Sequence, residues 1–243
     1  MNVETLSEIQ KNKKGMLNMF PELENYDTKD MRSLILYSWH FELYGLKSLI
    51  ESTNNNINEK IKINIQNAQS MITDMEAYDA SMREVQVYHS IAPLAFQSYL
   101  LTLYSIIEAA IDRYCSICEK HMNMKVKLID LKDKGITRGI NFLEKVVEVE
   151  KIKSDSTWGK MTVINDLRND LIHRCGAIGK SNNKNKYLEE IGVEVIDGKI
   201  AITYENIKQI YEYVEKFMQF VFTRDFTNKD KTLKKEEKAD EQL

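Results

Sequence analysis

Eighteen consecutive residues, Ser90 to Ile107, carry no charge. A run of that length approaches what is needed to cross the hydrocarbon core of a bilayer. It must therefore be hidden, either in lipid or at the centre of a fold. The run contains Pro93, Gln97, Ser98, Tyr99, Thr102, Tyr104 and Ser105, and it leads directly into Glu108 and Asp112. Those polar groups would cost free energy in lipid, where nothing replaces their water. The expectation is a buried helix of a protein that does not enter membranes. With only 9 Gly and 2 Pro in 243 residues, little interrupts a helical pattern, and 43% hydrophobic residues suffice for a core.

Apolar spacing extends this reading along the chain. Residues 1 to 27 read as a short helix and a loop ending near Pro21, and Asp27-Thr28-Lys29-Asp30 as a helix start. Leu34, Ile35, Tyr37, Trp39, Phe41, Leu43, Leu46, Leu49 and Ile50 outline a long helix, which Ser52 to Asn56 should break. Ile57 to Tyr78 reads as a second helix, with Ile61, Ile65, Ala68 and Ile72 in one stripe. Ile91 to Met122 should form the longest, central helix, and Ile129 to Val149 another, weakened by Gly135 and Gly139.

A further helix is predicted from about Thr157 to Arg174, capped by Ser154-Asp155-Ser156 and ended at Gly176. Gly179 to Lys186 reads as a loop rich in Lys and Asn. Val193-Glu194-Val195-Ile196 and Lys199-Ile200-Ala201-Ile202 flank Asp197-Gly198, a strong hairpin signal. Thr203 to Phe222 closes the fold as an amphipathic helix, and from about Thr227 the charged tail is expected to be disordered. The fold class is all-α, with one small β-hairpin before the last helix.

Charge and cysteine content narrow the function classes. The formal net charge is −3, so no global basic field attracts nucleic acid; RNA would need a local patch or one assembled by oligomerisation. Three cysteines, an odd number, fit a reducing cytoplasm better than a disulfide framework. Met1 to Lys14 is polar and lacks the apolar core of a signal peptide. Cys115-x-x-Cys118-x-x-His121 resembles metal-ligand spacing, but on one straight helix the three point in different directions and no second Cys pair exists. They read as core thiols beside a surface His, with no metal and no cofactor expected. His40 and His89 read as packing or helix-end residues. No phosphate-binding glycine loop, nucleophile elbow or paired-histidine zinc motif is present.

What remains for chemistry is Arg168-Asn169-Asp170-Leu171-Ile172-His173. Val163, Ile164, Leu167 and Leu171 form the apolar stripe of its helix, and Asp166, Asn169 and His173 share the other side. Histidine moves protons near neutral pH, and the arginine fork fits phosphate oxygens. One group for a proton and one for a phosphate suits phosphodiester chemistry. Lys180, Lys184 and Lys186 follow soon after, as a solvated loop or as phosphate-positioning groups.

In this setting the segment Leu167 to His173 resembles the signature of the HEPN superfamily, an Arg followed by a polar residue and then a His. Tyr104 to Ile111 is similar to that family's earlier core helix, which often carries an acidic residue, here Glu108. The resemblance covers roughly residues 85 to 222. It implies residues 1–84 as an N-terminal helical extension, 85–226 as the HEPN-like domain and 227–243 as a tail. It also implies a metal-independent endoribonuclease of toxin, abortive-infection or phage-defence type. Such an enzyme acts as a homodimer on RNA, leaves 2′,3′-cyclic phosphate ends, and is accompanied by an antitoxin or an associated defence protein.

Carried over, His173 is the general acid/base, Arg168 stabilises phosphate charge, Asn169 orients the imidazole or binds phosphate, and Glu108 matches the acidic position. The family members paired with nucleotidyltransferase antitoxins carry a tyrosine two residues after the histidine; here that residue is Cys175. Tyrosine adenylylation at that position, and pairing with that kind of antitoxin, are therefore not expected. The alternative is a non-catalytic HEPN-like module that binds RNA or a protein partner.

Overall fold

The computed structural model describes residues 31–178 and 183–223, with the side chains of 31–37, 121 and 183–185 left aside. The helix and loop expected before residue 31, the tail from Thr227 and Lys180 lie outside the described residues. Six α-helices and one hairpin form the described part: α1 (Met31–Ser70), α2 (Met75–His121), α3 (Gly135–Lys145), α4 (Ser156–Arg174), α5 (Asn183–Ile191), β1 (Glu194–Ile196), β2 (Lys199–Ala201) and α6 (Tyr204–Thr223). The fold is all-α with a small antiparallel hairpin before the last helix.

α1 and α2 make an antiparallel helical hairpin joined by the turn at residues 71–74. At about 1.5 Å per residue they are about 60 and 70 Å long. The break expected at Ser52 to Asn56 does not occur. These residues are only mildly poor helix formers, and the flanking Ile50 and Ile57 are buried. Thr53 also bonds Tyr99 of α2, hydroxyl to hydroxyl, at 2.6 Å. α2 likewise starts 16 residues before Ile91, N-capped by Asp74, whose carboxylate accepts from the Ala77 amide. It runs through Pro93 without ending and spans residues 84–85 as one element. Packing against α1 outweighs the hydrogen bond that proline cannot donate. Ile65 and Ile72, expected on the buried stripe, are exposed, because toward the turn only the partner helix, among the described residues, covers α1.

The uncharged stretch buries one face. Phe96, Leu100, Leu103, Tyr104 and Ile107 enter the core with Trp39, Leu43 and Leu46 of α1 and Val214, Phe217 and Val221 of α6. Met75–Lys120 includes a window apolar and long enough to cross a membrane by composition, 39% of it buried. The helix expected over Ile129 to Val149 is shortened to α3, preceded by a 3-10 turn at Leu128–Asp130. Gly135 sits at φ 57°, a left-handed conformation that starts the helix late. Gly139 lets α3 approach α2 closely; a Cβ there would lie 2.3 Å from the Ile111 side chain. Asp197 and Gly198, both at positive φ, make the tight turn that pairs Ile196 with Lys199.

Candidate functional site: the polar face of the fourth helix

α4 begins where its cap dictates. Asp155 accepts from the Thr157 amide at 2.8 Å, and the helix ends at Cys175, which adopts a left-handed φ of 52°, followed by Gly176 at 78°. The amides of Cys175 and Gly176 both turn back to the Asp170 carbonyl, the reverse wrap that satisfies the last carbonyls of a helix. Met161, Val163, Ile164, Leu167 and Leu171 are buried. Arg168 and Asn169 are half-buried at the rim of that face, and His173 is exposed.

Arg168 is held from two sides. Its Nη1 donates to Asn169 Oδ1 at 2.9 Å, and its guanidinium carbon lies over the Tyr104 ring, 5.4 Å from the centroid. Tyr104 is buried in α2 and donates its hydroxyl to Asn165 Oδ1 at 2.6 Å. Burial first, and then the neighbouring Glu108 carboxylate, push the Tyr104 hydroxyl up to about 12, so it stays a proton donor at any physiological pH.

Glu108 itself is half-buried one turn along α2, with no hydrogen bond to Arg168 or His173 among the described residues. Its Oε1 lies 3.3 Å from where a Cβ on Gly135 would sit. In one chain, Glu108 thus lies beside Tyr104, the residue that carries the Arg168 guanidinium.

His173 is five residues beyond Arg168, which on an α-helix is about 140° around and 7.5 Å along the axis. It has no hydrogen bond or ion pair with another described residue. Asn169 Oδ1 is engaged by Arg168. Arg168 and His173 thus leave the helix in different directions, and no hydrogen bond links them among the described residues.

Of the three lysines, Lys186 is brought to the motif helix and the loop reading is corrected. α5 starts at Asn183 because Tyr187 and Ile191, one turn apart, are both fully buried. Lys186 Nζ then meets Asp166 Oδ2 at 2.8 Å. Both side chains are 41% exposed, so this pair is worth less than about 1 kcal/mol and yields readily to a phosphate. Lys184 lies in α5.

Asp170, inside the motif, proves to be its anchor. It is 6% exposed and accepts from the Tyr187 hydroxyl at 2.8 Å and from Arg174 Nη1 at 3.0 Å. Its sequence signal was available: Val163, Leu167 and Asp170 follow i, i+4, i+7, so the carboxylate lies on the apolar stripe. Tyr104 and Asn165 had no comparable signal, because they meet across two helices.

Cys115 and Cys118 are buried, and the Cys115 thiol donates to the Gly139 carbonyl at 3.5 Å. Burial, followed by Cys118, holds that thiol well above its ordinary range. No group of three potential metal ligands occurs among the described residues. Comparisons with family models, curated proteins and solved structures find no match to this chain.

Proposed function

We propose that the chain is an HEPN-like, metal-independent endoribonuclease that works as a homodimer. The observation that carries this reading is the pairing, on one helix, of a pre-positioned Arg168 and an exposed His173. RNA supplies its own nucleophile, the ribose 2′-hydroxyl. An imidazole takes the hydroxyl proton, the oxygen attacks the adjacent phosphorus, and the 5′-oxygen leaves with a proton from a second imidazole. The product ends are a 2′,3′-cyclic phosphate and a 5′-hydroxyl.

Proton transfer of this kind contributes about 10²- to 10⁴-fold. Arg168 meets the charge that grows on the phosphate oxygens. Because Arg168 and His173 diverge by about 140° around one helix, a second copy facing the first supplies the missing groups and the second imidazole. Lys186 lies close enough to the motif helix to fix the RNA backbone. This reading includes a cytoplasmic, membrane-independent role in toxin, abortive-infection or defence chemistry, with an antitoxin or companion protein restraining it.

One observation favours the non-catalytic alternative. Among the described residues nothing orients the His173 imidazole, so in this reading it is only a contact residue for RNA or protein. Arg168→Ala and His173→Ala separate the two. The nuclease reading expects each to lower RNA cleavage by about 10²-fold or more, with an unchanged melting midpoint. Cleavage retained in both variants, or wild-type protein that cuts no RNA class, overturns it; RNA binding that survives His173→Ala in that case supports the module.

A further inference from the structure

We infer that Tyr104 is a positioning residue for Arg168, its ring serving as the platform on which the guanidinium is presented to an anionic phosphate. The inference rests on the phosphate role proposed for Arg168, but the arrangement stands on its own geometry. The ring lies under the guanidinium at 5.4 Å. Its hydroxyl end is fixed by the bond to Asn165, three residues before Arg168 on the same helix. The ring is enclosed by the core, Tyr104 being 3% exposed, and Gly135 of α3 faces its hydroxyl, where a Cβ would lie 3.8 Å away. Burial and the Asn165 bond hold the ring in place, and its hydroxyl remains neutral well above physiological pH.

The consequence for Arg168 is entropic as well as electrostatic. A free arginine side chain gives up about 2 kcal/mol of rotamer freedom when it is immobilised. Here the ring below and Asn169 beside it restrict the side chain before any ligand arrives. Nη1 is engaged, whereas Nε and Nη2 have no partner among the described residues and are not among the buried polar atoms left unsatisfied. They remain as an accessible edge suited to two phosphate oxygens. A phenylalanine would provide the same platform without the latch, and leucine would fill part of the space and provide neither.

The test uses the full chain with ¹⁵N-labelled arginine, assigning the Arg168 side-chain signals by their loss in Arg168→Lys. In the wild type, the ring current is expected to move the Arg168 side-chain protons upfield. Tyr104→Phe should keep that shift and stay within about 3-fold of wild type in affinity for inorganic phosphate. Tyr104→Leu should lose the shift and weaken phosphate binding about 3- to 30-fold, the range of a lost cation–π contact. It should also lower RNA cleavage by up to about 10²-fold through misplacement of the guanidinium.

A folded Tyr104→Leu with an unchanged Arg168 signal and unchanged phosphate affinity overturns the inference. If Tyr104→Leu fails to fold, the wild type and Tyr104→Phe still decide. An unshifted wild-type signal, or a Tyr104→Phe protein that loses phosphate affinity, overturns the platform. A protein that cuts no RNA, yet whose Arg168 signal and phosphate affinity follow the ring, sinks the nuclease reading and leaves the platform standing.

Discussion

The two ends of the long α1–α2 hairpin follow similar apolar spacing and have different fates. At the body end, Leu43, Leu46 and Ile50 of α1 and Leu100, Leu103 and Ile107 of α2 are buried in the core they share with α6. Toward the turn, Ile57, Ala68 and Val85 are buried, while Ile65, Met71, Ile72, Met75 and Val87 stand exposed. Helical periodicity marks a face as apolar, but a third layer decides whether that face is dry. The motif helix belongs to the covered end, where α2 offers Tyr104 to Arg168.

Truncation should expose this difference most strongly. Leu103→Ala removes atoms from a site 1% exposed and should cost about 2–5 kcal/mol. Ile72→Ala, at 68% exposure near the turn, should cost less than about 0.5 kcal/mol. Urea unfolding measures both. Equal losses would mean that the distal end is as well packed as the body, against the burial pattern.

A similar contrast operates between two carboxylates on α4, at smaller scale. Asp170→Ala leaves the buried Tyr187 hydroxyl without its acceptor and should destabilise by about 1–3 kcal/mol. Asp166→Ala removes only the exposed pair with Lys186 and should cost less than about 1 kcal/mol. Thermal midpoints rank the two, and the reverse order would remove Asp170 from its role as anchor. The smallest effect is expected at the end of the same helix. Cys175 holds a left-handed φ of 52°, so Cys175→Gly should stabilise by about 0.5–1 kcal/mol, read as a rise in the urea midpoint.

How legible the molecule was depended on the range of the contacts. The closing helix and the Asp197-Gly198 hairpin follow from local spacing and turn chemistry, and both form as expected. So does the apolar stripe Val163, Ile164, Leu167 and Leu171. The continuity of α1 through Ser52 to Asn56 and of α2 through Pro93 depends on each helix lying against the other, which no short window contains. α5 was hidden because two buried residues, Tyr187 and Ile191, are too few to reveal a period. At the site, Arg168, Asn169 and His173 were visible as a motif. The platform was not, because Tyr104 lies 64 positions before Arg168 and meets it only through the packing of α2 on α4.

We propose that His173 cleaves RNA by transferring protons while Arg168 stabilises the charge on the phosphate, with the 2′-hydroxyl as nucleophile. The most direct measurement is mass spectrometry of RNA ends after incubation with the purified full chain in excess chelator. The wild type is expected to give 2′,3′-cyclic phosphates and 5′-hydroxyls, and His173→Ala to leave the RNA uncut. Uncut RNA with the wild type, or 3′-hydroxyl ends that appear only when a divalent metal is restored, would contradict it.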